Sequence, residues 1–250
     1  MQWPEALILL EREVVACRRC PRLVDYRERV AREKRRAFED WQYWGRPVPS
    51  FGDPAARLLV LGLAPAAHGG NRTGRMFTGD RSGDFLMRAL YAAGFASQPR
   101  SESRDDGLRL TDAYISAAVR CPPPGNKPLP GEIRNCRGYL ERELELLSGL
   151  KVVVALGRIA FEVYLSILRD RGAIAARSSF RFAHNAEHPA AGRPLLISSY
   201  HPSQQNTSTG RLTLAMLEGV FRRARKRLEA SPSDAGNKKT TLIHPTRGVK

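Results

Sequence analysis

Apolar and polar positions follow two periods along this chain. Over residues 5–16, Leu7, Leu10 and Val14 recur at helical spacing, which predicts a short helix whose end delivers Cys17. Residues 27–36, dense in Arg, Lys and Glu, continue helically. Their aromatic sequel, Phe38, Trp41, Tyr43 and Trp44, is expected to anchor this segment to the body, with any exposed member open to nucleic acid. Residues 56–63 form a compact apolar run between Pro54 and Pro65, the pattern of a strand buried on both faces. A Gly-rich stretch follows, then a helix over 84–93 with Phe85, Leu86, Ala89 and Leu90 turned inward. Further strands are predicted at 110–119, 151–156 and 194–200, and further helices at 133–150, 157–171 and 212–228, the last with a basic face.

Strands separated by helices predict an α/β fold, a three-layer α/β/α sandwich around a mostly parallel four-stranded sheet. Ligands in such folds gather at the carboxyl ends of the strands, where the loops 62–80, 120–132 and 201–210 fall. Residues 1–229 read as one domain. Residues 230–250 mix Ser, Pro, Asp, Gly, Asn and Lys without apolar periodicity and read as a flexible basic tail.

Charge narrows the partners. Lys and Arg number 41 against 25 acidic residues, a formal net charge of +16, which suits nucleic acid. The longest apolar runs fall far short of the roughly 18 residues a membrane span needs. No charged start, apolar core and small-residue cleavage site is present, so a cytoplasmic protein is expected, with thiols available to metal rather than to disulfides.

The chain has four cysteines: Cys17 and Cys20 as C-x-x-C, then Cys121 and Cys136 astride a Pro-rich loop. Thiolates without histidine leave a structural zinc or an iron–sulfur cluster open, and the long interval between the pairs is unlike compact zinc knuckles. The plainer alternative makes Cys121 and Cys136 small buried apolar residues. It suits Cys121 after an apolar strand, but not Cys17 and Cys20 among Arg18, Arg19 and Arg22.

Two loops offer chemistry. The first, residues 62–80, lets its glycines bring backbone close to a ligand and offers Phe77 as a stacking face. It lacks the Gly-Lys-Ser/Thr ending of a phosphate loop, and Pro65 and His68 intrude on a dinucleotide fingerprint. His68 either orients the loop or enters the reaction; Asp80 is either a helix N-cap or a water-orienting base. In the second loop, His201 follows an apolar strand directly and can donate to charge developing on a leaving group. The polar run after it suits a sugar–phosphate backbone. Ser203 as a hydrolase nucleophile lacks the Gly-x-Ser-x-Gly elbow.

Four ordered motifs, spread over residues 5–228, carry a family resemblance. They are Cys17 and Cys20 with Pro21, the loop from Gly62-Leu63-Ala64-Pro65 to Arg75-Met76-Phe77-Thr78-Gly79, the segment from Arg120-Cys121-Pro122 through Asn126 with Cys136, and His201-Pro202-Ser203 to Gly210-Arg211. The chain resembles the uracil-DNA glycosylase superfamily, and within it the iron–sulfur class called family 5 or type B. The resemblance implies a [4Fe–4S] cluster on Cys17, Cys20, Cys121 and Cys136. It implies hydrolysis of the bond joining uracil, and other deaminated bases such as hypoxanthine and xanthine, to deoxyribose in DNA, leaving an abasic site.

Where other classes carry an acid or asparagine, this chain has Leu63 and Ala64, neither able to activate water. Where a related class has a base-reading asparagine, it has Ala117; Asn126 is a substitute, or a residue of loop rigidity. The resemblance implies His201 as the donor to the leaving base; from its place beyond the Gly-rich loop Asp80 is expected to orient water, and Ala64, Ala66, His68, Phe77 and Asn126 are expected to contact the base. Arg72, Arg75, Ser203, Asn206 and Arg211, with the basic final helix, would hold DNA. A monomeric, monofunctional enzyme is expected; a noncatalytic iron–sulfur nucleic-acid-binding protein is the alternative.

Overall fold

A computed structural model describes residues 3–230. The expected tail therefore lies outside the described residues, apart from Ala230, which follows the last helix. The elements are α1 (Glu5–Val15), α2 (Pro21–Glu33), β1 (Phe51–Gly52), β2 (Leu58–Gly62), α3 (Gly70–Thr73), α4 (Arg81–Ala92), β3 (Ala113–Ala117), α5 (Pro130–Leu146), β4 (Val152–Leu156), α6 (Arg158–Asp170), β5 (Ala186–His188), β6 (Leu195–Ser199), α7 (Gln204–Ser208) and α8 (Leu214–Glu229). Among the described residues no helix is long and apolar enough to cross a membrane.

The sheet runs β1-β3-β2-β4-β6-β5. Its centre, β3, β2, β4 and β6, is the parallel sheet expected, with Val60 opposite Ile115 and Val154, and Val154 opposite Ile197. Two short antiparallel edge strands raise the expected four to six: β1 pairs with β3 and β5 with β6. Edge strands of two and three residues carry too few positions to show a period.

Central strands such as Leu58–Gly62 and Val152–Leu156 are buried at every position because helices cover both faces. Leu58, Val60, Ile115 and Val154 face α4 and α8, with Leu86, Leu90, Leu217 and Phe221. Leu59, Leu61, Val153 and Ala155 face α5 and α6, with Leu140, Phe161 and Leu165. Each such aliphatic side chain contributes roughly 1.5–3 kcal/mol relative to exposure. A third cluster packs Leu10, Val14 and Leu23 of the N-terminal helices against Val119 and Tyr139, fastening α1 and α2 to the loop after β3.

Local signals set the helix starts. Pro21 and Pro130 occupy first turns, where a missing N–H costs nothing. Glu132 Oε2 accepts from Leu129 N at 2.7 Å, and Thr213 Oγ1 accepts from Met216 N at 3.3 Å. The expected aromatic anchor forms: the Arg72 guanidinium lies 3.9 Å from the Phe38 ring centroid and 4.0 Å from that of Trp41.

A buried ion pair ties the loop after β3 to α5. Arg120 donates to Glu143 Oε2 at 2.5 Å and to Ser116 Oγ at 3.0 Å, and Ser116 Oγ donates to the same carboxylate at 2.6 Å. Breaking a buried pair costs more than the pair contributes, because it strands a charge. Glu143→Leu should lower stability by about 3–5 kcal/mol, read from the urea midpoint, and Arg120→Met in the same chain should restore most of the loss. A double variant no more stable than the single would contradict this account.

Candidate active site

Two strands that run into glycine shape the site. At the end of β2, a Cβ on Gly62 would lie 2.8 Å from Phe77 Cε2 and Cζ, so the Phe77 ring rests on the strand end itself. Beyond β4, Gly157 has φ +93, and its added Cβ would lie 3.3 Å from His201 Cβ. The two rings so placed have centroids 6.0 Å apart, tilted by 32°. The loops 62–80 and 201–210 therefore meet, as the strand ends required. Phe77 holds a left-handed backbone at φ +50, which a non-glycine residue adopts only under surrounding constraint.

Burial sets the protonation of His201. Desolvation pushes its pKa down to about 4, so the imidazole is neutral near pH 7. Asn206 Nδ2 donates to the His201 carbonyl at 2.8 Å and holds the loop behind the ring.

Asp80 caps α4: its Oδ1 accepts from Gly83 N at 2.9 Å. Its other oxygen, Oδ2, lies over Gly69, where an added Cβ would be 1.9 Å away. Burial raises its proton affinity against the opposing N–H donors of Gly83 and Ser82. His68 is half-buried, its Nδ1 3.1 Å from the Tyr43 hydroxyl, and burial, then Arg35 and Arg72, lower its pKa. Ala64 packs beside the cysteines. The Ala66 carbonyl accepts from Gly69 N and Asn71 N. Among the described residues, the N–H groups of Ala64, Ala66, Ala67 and His68 have no protein acceptor.

Other expected contacts are placed elsewhere. Arg72 and Arg75, expected to grip DNA, are buried, which corrects that reading. Arg72 donates to the carbonyls of His68 (2.8 Å) and Gly79 (2.7 Å), inside its aromatic sandwich. Arg75 donates to Asp106 Oδ2 at 2.6 Å, Ser101 Oγ at 2.9 Å and Thr78 Oγ1 at 3.0 Å. Both guanidiniums brace the loop. Ser203 caps α7, accepting from Asn206 N at 3.4 Å. Arg211 is exposed, 4.7 Å from the Tyr200 ring centroid. Asn126 is exposed at φ +58 in the Pro-rich turn, a backbone role. The basic end of α8 sits at the amino ends of the strands, where Arg225 pairs with Asp112 and Arg227 with Glu187, so it faces away from the site.

The cysteines correct the cofactor expectation. Among the described residues, no group of three or more His, Cys, Asp or Glu side chains is placed to hold a metal ion. Cys17, Cys20, Cys121 and Cys136 are free thiols in the apolar cluster with Leu10, Leu23 and Tyr139. Arg27 donates to Cys121 Sγ at 3.1 Å, Arg120 N to Cys136 Sγ at 3.4 Å, and Asn135 Nδ2 to Cys20 Sγ at 3.4 Å. Burial pushes the Cys121 thiol up to about 12 and raises that of Cys136. As arranged, these residues do not fit a [4Fe–4S] cluster. They act as small apolar packing between the N-terminal helices and the sheet.

Sequence reasoning named Gly62, Gly157 and Tyr43 but gave none of them its part in seating Phe77, His201 and His68. Both glycines fall at the carboxyl end of an apolar strand, where a missing side chain makes room for one from another loop; that position was the available signal.

Comparison with known proteins places this geometry in a family. The model of the uracil DNA glycosylase superfamily matches residues 49–225. Over 213 residues the chain is 53% identical to a type-5 uracil-DNA glycosylase of Thermus thermophilus, covering 85% of this chain and 94% of that protein. It is 51% identical over 218 residues to one of Mycobacterium leprae, covering 87% and 93%. To one of Pyrobaculum aerophilum it is 50% identical over 211 residues, covering 84% and 88%. With glycine-ended strands that bring His201 against Phe77 and a match spanning the whole sheet, this chain belongs to the uracil-DNA glycosylase superfamily and, within it, to the type-5 family.

Proposed function

We propose that this protein hydrolyses the N-glycosidic bond of deaminated bases in DNA, uracil first among them with hypoxanthine and xanthine beside it, and leaves an abasic site. The observation that carries the reading is the half-buried, neutral His201 against Phe77 at the strand ends. The target base leaves the stack at a cost of about a few kcal/mol, least where it is mispaired. The two rings are already within contact range of each other, so the base lies across Phe77 beside His201 rather than between them.

The unpaired N–H groups of Ala64, Ala66, Ala67 and His68 supply base selectivity. Deamination replaces an exocyclic amine by a carbonyl in each parent base, so a donor aimed at that position accepts the product and leaves the parent's amine facing another donor. With backbone donors rather than one side-chain amide, the site tolerates pyrimidine and purine rings alike.

As the glycosidic bond lengthens, negative charge grows on the departing base and His201 donates a hydrogen bond to it. The deoxyribose takes on oxocarbenium character, and water attacks C1′. Asp80, whose raised proton affinity suits a proton acceptor, orients that water through Oδ2 while Oδ1 holds α4. No step passes through a metal.

Incubating the protein with a uracil-containing duplex and then alkali should cut the strand at uracil, with hypoxanthine and xanthine duplexes also cut and cytosine, adenine and guanine left intact. No cut at any deaminated base would overturn the reading. Borohydride during turnover should trap no protein–DNA adduct, since water is the nucleophile.

His201→Leu should slow single-turnover base release by roughly 10²–10³, the loss seen when one such donor is removed. A change under about threefold would remove His201 from the chemistry.

Asp80→Asn keeps a good N-cap and discards the base, so thermal stability and binding to abasic DNA should hold while base release falls by about 10² or more. Loss of folding and binding together would leave Asp80 only its capping role.

A further inference from the structure

The strand ends that deliver His201 also build a second surface that the mechanism above does not use. In the ladder, Leu156 of β4 pairs with Ser199 of β6, and Gly157 N donates to the Ser199 carbonyl at 2.8 Å. One residue beyond Gly157 stands Arg158; one residue before His201 stands Tyr200. The segment that folds across both, residues 177–184, adds Phe182 and His184.

These side chains form a continuous row. The Arg158 guanidinium carbon is 5.2 Å from the Phe182 ring centroid, Phe182 is 6.2 Å from Tyr200, and the Arg211 carbon is 4.7 Å from Tyr200 on the far side. Phe161 supports Phe182 from below at 5.5 Å in an edge-on contact, and His184 stacks on Tyr200 at 5.1 Å and 25°. His184 Nδ1 accepts from Tyr200 N at 3.3 Å, which holds the stack in place. Phe182 and Tyr200 are half-exposed, and Arg158 and Arg211 are exposed at the two ends.

The charge around this row is one-sided. No acidic residue occurs between Arg171 and Ala186. The carboxylate beside Arg158 is Glu162 at 3.9 Å, and among the described residues Arg211 has no acidic partner within 4.0 Å. Glu187 turns away to Arg223 and Arg227. A row of aromatic rings beside exposed arginines, with the one carboxylate near it among the described residues 3.9 Å from Arg158, is the chemistry that holds unpaired nucleotides, bases on rings and phosphates on guanidiniums. Against a folded protein partner, the same row would present its cations to no required complement.

We propose that Phe182, set between Arg158 and the Tyr200–Arg211 pair, forms a stacking platform for an unpaired nucleotide that flanks the target base in the strand under repair. The inference rests on the DNA reading above and deepens it: the platform grips the strand, and His201, one residue inward on the same strand ends, acts on the extruded base. It also makes single-stranded DNA a substrate, because its grip needs no complementary strand.

The test is anisotropy binding to a single-stranded oligonucleotide carrying a stable abasic analogue, across a salt series, with 2-aminopurine next to the lesion as a stacking probe. Phe182→Ala should weaken binding about tenfold and restore 2-aminopurine emission that the unaltered protein quenches. Arg158→Ala and Arg211→Ala should each reduce the slope of log K against log salt by about 0.7, one phosphate apiece. Arg169→Ala, near the other end of α6 and about 16 Å away along its axis, is the charge-matched control and should change neither. Should Phe182→Ala lose its fold with its support on Phe161, the two arginine slopes decide alone. Unchanged slopes and unchanged quenching in a protein that still releases uracil would overturn the platform and leave the glycosylase reading standing. A protein that binds the oligonucleotide as described yet releases no deaminated base would instead overturn the glycosylase reading.

Discussion

Everything at this site follows from the absence of two side chains. Gly62 and Gly157 end neighbouring parallel strands, and only because neither carries a Cβ can an aromatic ring and an imidazole settle on the strand termini. Close packing then does electrostatic work. A half-buried histidine set against backbone and a phenyl ring loses part of its water, and that loss disfavours its charged form. The resulting neutral donor suits a reaction whose leaving group gains negative charge, since it waits in position and needs no reorganisation.

The loops around this pair are rigid for reasons that lie in the arginines. Arg72 between Phe38 and Trp41, Arg75 among Thr78, Ser101 and Asp106, and Arg120 on Glu143 each sit inside the protein with their donors directed to it. A +16 protein would be expected to point most of its cations at DNA. Here several of them brace the loops around Phe77 and His201 instead, so rigidity is carried by members of the same residue type that gives the chain its charge.

Much of this was legible beforehand. Fully apolar runs bounded by proline or glycine identified the central strands to within a few residues, and the carboxyl-end rule for α/β sheets correctly brought Phe77 and His201 together. The misreadings share a cause: they concern which way a side chain turns. Arg72 and Arg75 stand in a glycine-rich loop that looks ligand-facing, and nothing local shows that Phe38, Trp41 and Asp106 will enclose them. The cysteine spacing suggested a metal centre, whereas the structure places free cysteines among leucines, with Arg27, Asn135 and a backbone N–H as partners. Strands of two and three residues at the sheet edges carry too little pattern to be seen at all.

The account stands on a neutral imidazole at the meeting point of two loops, and its charge can be observed directly. Nitrogen-15 NMR of the His201 ring, followed by pH in the free protein and in its complex with abasic DNA, should show a single neutral tautomer from about pH 8 down to about pH 5, with protonation beginning only toward about 4. A midpoint near the ordinary value of about 6.5 would mean that the ring is solvated, and the preorganised donor at the centre of this account would not exist.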